Sequence, residues 1–352
     1  TDGNLCVQNS DTVTINEPAE IVGTTSGTDP LCNGEATGTV TVAIVGGSGT
    51  YTIEWFDDLG VTTGQTTTTA TNLLAGCYYA VITDAAAPGC VVNSDTVCIT
   101  DPAVISFTTT AVDATCFGTC DGEVSWTASG GVGIITSELF LIGPPDVSQG
   151  STNPTTGLCV GDYYVVHTDG NLCVQNSDTV TINEPTEIVG TTSGTDPLCN
   201  GENSGTATVV IVGGSGSYTI EWFDDDGVTT GQTTTTANNL VEDCYYAVIT
   251  DQLVPTCSAN SDTVCLTDPS PITFTTTAVD ATCFGTCDGE VSWTSGGGTG
   301  LISSELFLVG PPDVSQGSSN PTSGLCPGDY YVVHTDGNLC VQNSDTVTIN
   351  EP

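Results

Sequence analysis

Along most of the chain, apolar residues fall on every second position: Val40, Val42 and Ile44 share one side of an extended segment, as do Val124, Trp126 and Ala128. Successive side chains of a strand point to opposite faces, so this alternation predicts β-strands. No segment carries the 3.6-residue spacing of a helix. Thr, Val, Ile and Tyr fill the runs, and Gly, Asp, Asn and Pro punctuate them at sandwich-like intervals. Seven strands are expected in each unit; within residues 19–102 they fall at about 20–28, 36–45, 50–57, 61–65, 67–73, 77–84 and 91–100, with turns at Gly46-Gly47 and Asp57-Asp58. Trp55 and the Tyr78-Tyr79 pair read as core and corner residues of an immunoglobulin-like sandwich.

The pattern repeats. The string TDGNLCVQNSDTVTINEP begins at Thr1, Thr168 and Thr335, a period of 167 residues. A shorter, diverged repeat is marked by Pro18, Pro102, Pro185, Pro269 and Pro352, which close successive units. The expected organisation is a closing strand of a preceding B repeat at 1–18, then repeat A at 19–102, B at 103–185, A at 186–269 and B at 270–352. The fold class is therefore all-β, with tandem immunoglobulin-like β-sandwich repeats forming an extended rod or filament.

Composition narrows the role. The 352 residues include 42 Asp plus Glu and no Lys or Arg, a formal net charge of −42. Phosphate backbones and anionic lipids are recognised through Lys and Arg, so nucleic-acid partners and electrostatic membrane docking are not expected. With 38% hydrophobic residues and only 12% charged ones, the repeats can support packed cores rather than disorder. Seventeen cysteines at fixed spacings, with neither a CxxC pair nor a Cys/His cluster, predict an oxidising, extracellular location at a cell surface and no zinc. No apolar run of about 18 residues could insert into a bilayer, so an export signal and anchor are expected elsewhere in a longer protein.

Cys32, Gly34, Gly46-Gly47, Tyr51, Trp55, Leu74, Gly76, Tyr78, Thr83-Asp84 and Gly89-Cys90 together resemble the SprB-type repeat of gliding-bacterium surface adhesins, and the resemblance recurs in all four units. Cys77 and Cys159 stand where that family usually has Thr, and the B repeats lack the Tyr-to-Trp element. The resemblance implies a type IX-secreted filament on the outer surface of a gliding bacterium, working with motility or secretion machinery there.

Each repeat of about 83 residues holds four cysteines. If strands alternate in direction, Cys32, Cys77 and Cys98 share one pole of the first repeat and Cys90 lies at the other, roughly 33 Å away along ten strand residues. A cystine permits a Cα separation of only about 4.4 to 6.8 Å. This favours bridges between repeats, Cys32–Cys173, Cys116–Cys257 and Cys199–Cys340. Within repeats it leaves Cys77–Cys98, Cys120–Cys159, Cys244–Cys265 and Cys287–Cys326, while Cys6, Cys90 and Cys283 await partners outside these 352 residues. A wholly intradomain set, leaving only Cys6 unpaired, is the alternative.

Other chemistry is sparse. Asp57-Asp58 and Asp224-Asp225-Asp226 could supply oxygens to Ca²⁺, but their spacing matches no defined loop and solvated turn acids are the simpler reading; no other cofactor is expected. The run NSDTV resembles an Asp-Thr-apolar signal for O-glycosylation at Thr12, Thr96, Thr179, Thr263 and Thr346, against the plainer reading of a repeated strand edge. His167 and His334 are one position repeated, a strand-end histidine without a matched nucleophile, so no enzyme is expected. The function that follows is a structural repeat array of a cell-surface filament or adhesin, meeting a surface or glycan target through another part of the chain. The rival is a lectin-like array in which every repeat binds a glycan.

Overall fold

The computed structural model describes residues 3–5 and 7–352, which form thirty strands and no helix. The chain divides into two compact units, Thr1–Ala114 with Cys120–Asn183, and Thr115–Thr119 with Glu184–Pro352. The unit that starts the chain opens with β1 (Val22–Thr28), β2 (Gly38–Val45), β3 (Tyr51–Asp57), β4 (Thr69–Leu73), β5 (Gly76–Asp84), β6 (Val91–Asn93) and β7 (Val97–Ile99). One antiparallel sheet runs β1-β2-β4; the other runs β3-β5-β6, with β7 also paired to β5. This is the sheet division of an immunoglobulin-like sandwich. Val40, Val42, Trp55, Ala80 and Ile82 fill the space between the sheets. Trp55 donates its indole N–H to Thr67 O at 2.9 Å, and Tyr78 donates its hydroxyl to Leu74 O at 3.0 Å, closing a corner.

Two expected strands differ. Residues 61–65 keep three backbone bonds to β3, from Asp57 N–H to Val61 O, Thr63 N–H to Trp55 O and Trp55 N–H to Gln65 O, around an isolated bridge of Thr62 to Phe56, but no regular ladder forms, because side chains claim some of the neighbouring backbone groups. Asp57 Oδ1 accepts the N–H groups of Leu59 and Val61 at 3.0 and 2.7 Å, and the Gln65 amide bonds both backbone groups of Thr71. The closing strand, expected over 91–100, breaks after Asn93. There the Ser94 hydroxyl accepts the Ala80 N–H at 2.9 Å, and Asp95 Oδ1 accepts the Thr25 N–H at 2.6 Å, tying the break to β1.

The next repeat has eight strands rather than the expected seven: β8 (Ser106–Val112), β9 (Gly122–Ser129), β10 (Thr136–Leu141), β11 (Val147–Gly150), β12 (Thr155–Leu158), β13 (Gly161–Thr168), β14 (Val174–Asn176) and β15 (Val180–Ile182). The addition is β11, an edge strand on β10. Equivalent registers show how the core is rebuilt. Trp55 lies opposite Ala80 on β5, whereas Leu139 takes that place opposite Val165 on β13. In compensation, Val42 of β2 becomes Trp126 of β9, so the indole moves to the facing sheet and the core volume is kept.

A second exchange concerns His167. It takes the position of Ile82, and Phe107 takes that of Gly23, where a Cβ would overlap Ile82 Cδ1. The ring stacks on Phe107 at 5.1 Å and is fully buried, with Nδ1 2.8 Å from Ser137 Oγ and Nε2 unpartnered among the described residues. The strand-end histidine expected from sequence is thus a core residue. Desolvation holds its pKa below the ordinary value. The unfolded chain takes up a proton near pH 6.5 that the folded repeat refuses, so stability should fall as the pH drops below about 6.5 and be unaffected above it. Hydrogen exchange followed from neutral to mildly acidic pH should show β13 losing protection before β5, whose Ile82 does not titrate.

The other unit repeats the plan. Its A repeat comprises β16 (Val189–Thr195), β17 (Gly205–Val212), β18 (Tyr218–Asp224), β19 (Thr236–Leu240), β20 (Asp243–Asp251), β21 (Ser258–Asn260) and β22 (Val264–Leu266). Its B repeat comprises β23 (Thr273–Val279), β24 (Gly289–Gly296), β25 (Ser303–Leu308), β26 (Val314–Gly317), β27 (Thr322–Leu325), β28 (Gly328–Thr335), β29 (Val341–Asn343) and β30 (Val347–Ile349). Each repeat has a separate hydrophobic core.

One glycine pair is required by geometry. Gly46 and Gly47 both have positive φ, and a Cβ on Gly46 would run into the Glu20 carbonyl while one on Gly47 would sit 2.6 Å from Asp84 Oδ2. Gly46→Ala should cost the first repeat more than about 1 kcal/mol, since backbone and space both reject the methyl. Urea titration read by Trp55 fluorescence tests it; an unchanged midpoint would contradict the geometry.

Candidate functional site

The polar and covalent features that recur in every repeat gather at the sandwich poles. In the unit that starts the chain, Cys32 lies in the β1–β2 connection and Cys173 in the β13–β14 turn, their Cα atoms 5.6 Å apart in a disulfide. Both sides are fixed by their own repeats. Asp169 is buried at the end of β13; its Oδ1 accepts the N–H groups of Asn171 and Cys173, both at 2.9 Å, and its Oδ2 accepts that of Val132 at 2.8 Å. Burial pushes the Asp169 pKa up, but these N–H groups outweigh it and hold it below the ordinary value. The carboxylate thus shapes the turn that presents Cys173. Leu172 adopts φ +67° within that turn.

On the other side, Gly34 donates its N–H to Asp101 Oδ2 at 3.1 Å and Asn33 its amide to Pro102 O at 2.9 Å, so the Cys32 loop is bound to the chain leaving its repeat. Asn171 Nδ2 then donates to Leu31 O at 2.9 Å beside the disulfide. In the other unit Cys199 and Cys340 are bonded with the same 5.6 Å spacing, and Asn338 Nδ2 donates to Leu198 O at 2.9 Å. There Asp336 is held below the ordinary carboxylate pKa by the Thr299 N–H, against burial, and by those of Cys340 and Asn338. The same unit holds Cys116–Cys257, Cα atoms 5.5 Å apart. All three bridges span 141 residues.

The A repeats use a hydroxyl in the same latch. Asp84 Oδ1 and Oδ2 accept the Ser48 hydroxyl and N–H at 2.6 and 2.7 Å. In the second A repeat the Ser215 hydroxyl and N–H, opposed by burial and aided by the Val254 and Leu253 N–H groups, lower the Asp251 pKa to about 2. From sequence Asp84 is named only as part of the repeat pattern, and Asp169, Asp251, Asp336 and Asn171 are given no role, although Thr-Asp recurs before every such turn.

Four further disulfides lie within repeats. Cys77 faces Cys98 across β5 and β7, and Cys244 faces Cys265 across β20 and β22. Cys120–Cys159 and Cys287–Cys326 tie the start of the second strand of each B repeat to the end of its fifth. Cys90 and Cys283 are free and exposed, and Cys6 lies outside the described residues. Thr96, Thr179, Thr263 and Thr346 are exposed where the closing strand breaks, and Thr12 is exposed near the start of the chain. The acidic turns serve other partners: Asp57 and Asp224 accept backbone N–H groups, and the Asp243 carboxyl, with burial, raises the Asp225 pKa. Among the described residues no three His, Cys, Asp or Glu side chains converge as metal ligands.

No curated protein matches the chain. Among solved structures it is similar to three N-terminal domains of the bacteriophage RB49 Highly Immunogenic Outer Capsid protein, at 11% identity over 70% of this chain and 99% of that one, TM-score 0.33. It is also similar to the N-terminal eight Ig domains of Down Syndrome Cell Adhesion Molecule, at 11% identity over 95% and 50%, TM-score 0.31. The mouse nectin-like molecule 4 ectodomain gives 9% identity over 71% and 96%, TM-score 0.28. The fold assignment rests on the sheet orders above. Tyr51 with Trp55, and Tyr218 with Trp222, stand only in the A repeats; the B repeats carry Leu139 and Leu306 at the indole positions. It is in the A repeats, at residues 24–60 and 191–227, that the chain matches the SprB repeat.

Proposed function

We propose that the chain is a load-bearing stretch of an extracellular, cell-surface adhesin array, structural rather than catalytic, that holds an adhesive element away from a bacterial surface and serves gliding motility. The observation that carries this reading is the series of disulfides spanning 141 residues, each seated on hydrogen-bonded turns. Cystines of this kind belong to oxidising compartments, and bridges that run past a repeat's own boundary tie it covalently to its neighbour, as an array under tension requires. The SprB match supports the surface and motility assignment. The exposed Thr96 and its counterparts are suited to carry O-linked sugars, which would shield the strand breaks.

The test is antibody labelling of intact source cells, followed by in-frame deletion of one A-B pair. Surface labelling without permeabilisation, and a loss of attachment or gliding on deletion, is the expected result. Labelling only after permeabilisation would exclude the reading.

A further inference from the structure

The two central strands of the larger sheet have an inner and an outer side, and the A and B repeats treat them oppositely. On the inner side of β3 and β5, Ile53, Trp55, Ala80 and Ile82 become Ser137, Leu139, Val165 and His167 of the first B repeat. On the outer side, Thr52, Glu54, Phe56, Tyr79, Val81 and Thr83 become Thr136, Glu138, Phe140, Tyr164, Val166 and Thr168, the same six residue types in the same register. The second A repeat keeps all six, and the second B repeat keeps five, with Ser303 in the place of Thr52. The retained patch ends at the next outer position, where Cys77 gives way to Asp162.

Packing constrains a core more tightly than a surface, so stability alone would hold the inner set and let the outer set drift. A cross-strand aromatic pair adds a little stability, which accounts for Phe56 with Tyr79 but not for the Glu, Val and Thr around them. Aromatic and charged surface residues kept while the core beneath them is rebuilt mark a face that meets a ligand.

The centre of the patch is an aromatic pair. In the four repeats Phe56 with Tyr79, Phe140 with Tyr164, Phe223 with Tyr246 and Phe307 with Tyr331 have ring centroids 5.6 to 5.8 Å apart and planes 19° to 21° from parallel. Each ring is partly open to solvent, and the Glu two residues before each Phe, diagonal to the Tyr on the same face, is exposed. Its Oε1 accepts one hydroxyl, from Thr62, Ser148, Thr229 or Ser315, and its Oε2 has no partner among the described residues. This Glu is the one charge in the patch, and the chain holds no Lys or Arg to meet it. An aromatic ring and a carboxylate on one face suit a guanidinium, which lays its plane on the ring and offers paired N–H donors to the carboxylate. A net charge of −42 draws such a partner in, whereas a second copy would set Glu against Glu.

We propose that this outer face binds arginine side chains of a basic protein partner, one in each repeat. The contact stands on the retained face and not on the adhesin reading.

The test titrates the full chain with hexa-arginine and with hexalysine, peptides of equal charge, by calorimetry at about 0.15 M salt. Phe56→Leu, Phe140→Leu, Phe223→Leu and Phe307→Leu combined leave the net charge untouched and should weaken hexa-arginine about fivefold, with hexalysine changed less than about twofold. Peptide mapping of the seven disulfides shows that the variant is folded. Two further variants decide the matter even if that one is not. Glu54→Gln, Glu138→Gln, Glu221→Gln and Glu305→Gln should weaken hexa-arginine about fivefold, against less than about twofold for Glu20→Gln, Glu35→Gln, Glu187→Gln and Glu202→Gln, which remove the same charge from exposed positions elsewhere. A folded Leu variant that binds hexa-arginine as its parent does, or loses both peptides alike, would overturn the proposal, as would equal losses from the two Gln sets.

Discussion

Pulled from its two ends until every sandwich has unfolded, the oxidised chain should stretch to only about 250 Å, against about 1,200 Å after reduction, at roughly 3.5 Å per residue. The covalent path explains the difference. Tension enters at the start of the chain, crosses from Cys32 to Cys173, follows the backbone to Cys199, crosses to Cys340 and leaves through Pro352, a route of roughly 70 residues in all. Everything else is bypassed. Cys199→Ser should reroute tension through Cys116–Cys257 and, with Cys120–Cys159 and Cys287–Cys326 still closing their loops, lengthen the path to roughly 110 residues, whereas Cys116→Ser should leave it unchanged. Single-molecule force spectroscopy reads these lengths directly. An oxidised chain that extends fully would show that the bridges do not form in solution, and with them would go the load-bearing role.

Trp55→Ala should destabilise the first A repeat by about 3–5 kcal/mol, because the indole is wholly buried and its N–H bond to Thr67 O goes with it. That is a large part of the roughly 5–15 kcal/mol that holds a domain together. The B repeats suggest a compensated replacement. Trp55→Leu with Val42→Trp copies the Leu139 and Trp126 arrangement, and the pair should cost less than the sum of the two single changes. Denaturant unfolding of the four proteins measures the coupling. Strict additivity would mean that the two positions do not share one core volume.

The strands were legible because Val40, Val42 and Ile44 obey a two-residue period that only a pleated segment satisfies, and because Gly46-Gly47 could only be a turn. What escaped was decided by single polar side chains. Nothing in the alternation of residues 61–65 reveals that the Asp57 carboxylate will claim the Val61 N–H and the Gln65 amide the Thr71 backbone, and nothing in NSDTV reveals that Ser94 will replace a ladder bond. The burial of His167 depends on Phe107, some sixty residues earlier in the chain, standing where the A repeat has Gly23. The poles were harder still. Thr-Asp reads as a generic turn, yet Asp169 both sets the turn that holds Cys173 and ties it to the Val132 N–H, 37 residues earlier, a relation no local pattern shows.

The latch of Asp84 on Ser48 has a consequence for the medium the chain can live in. Buried carboxylates in most proteins lean on a cation, and dissolved ions weaken that attraction. Here they lean on neutral N–H and O–H donors, as a chain without Lys or Arg must. Dissolved ions therefore have little attraction to weaken and a net charge of −42 to screen. From fresh water to brine, this fold should only gain in stability.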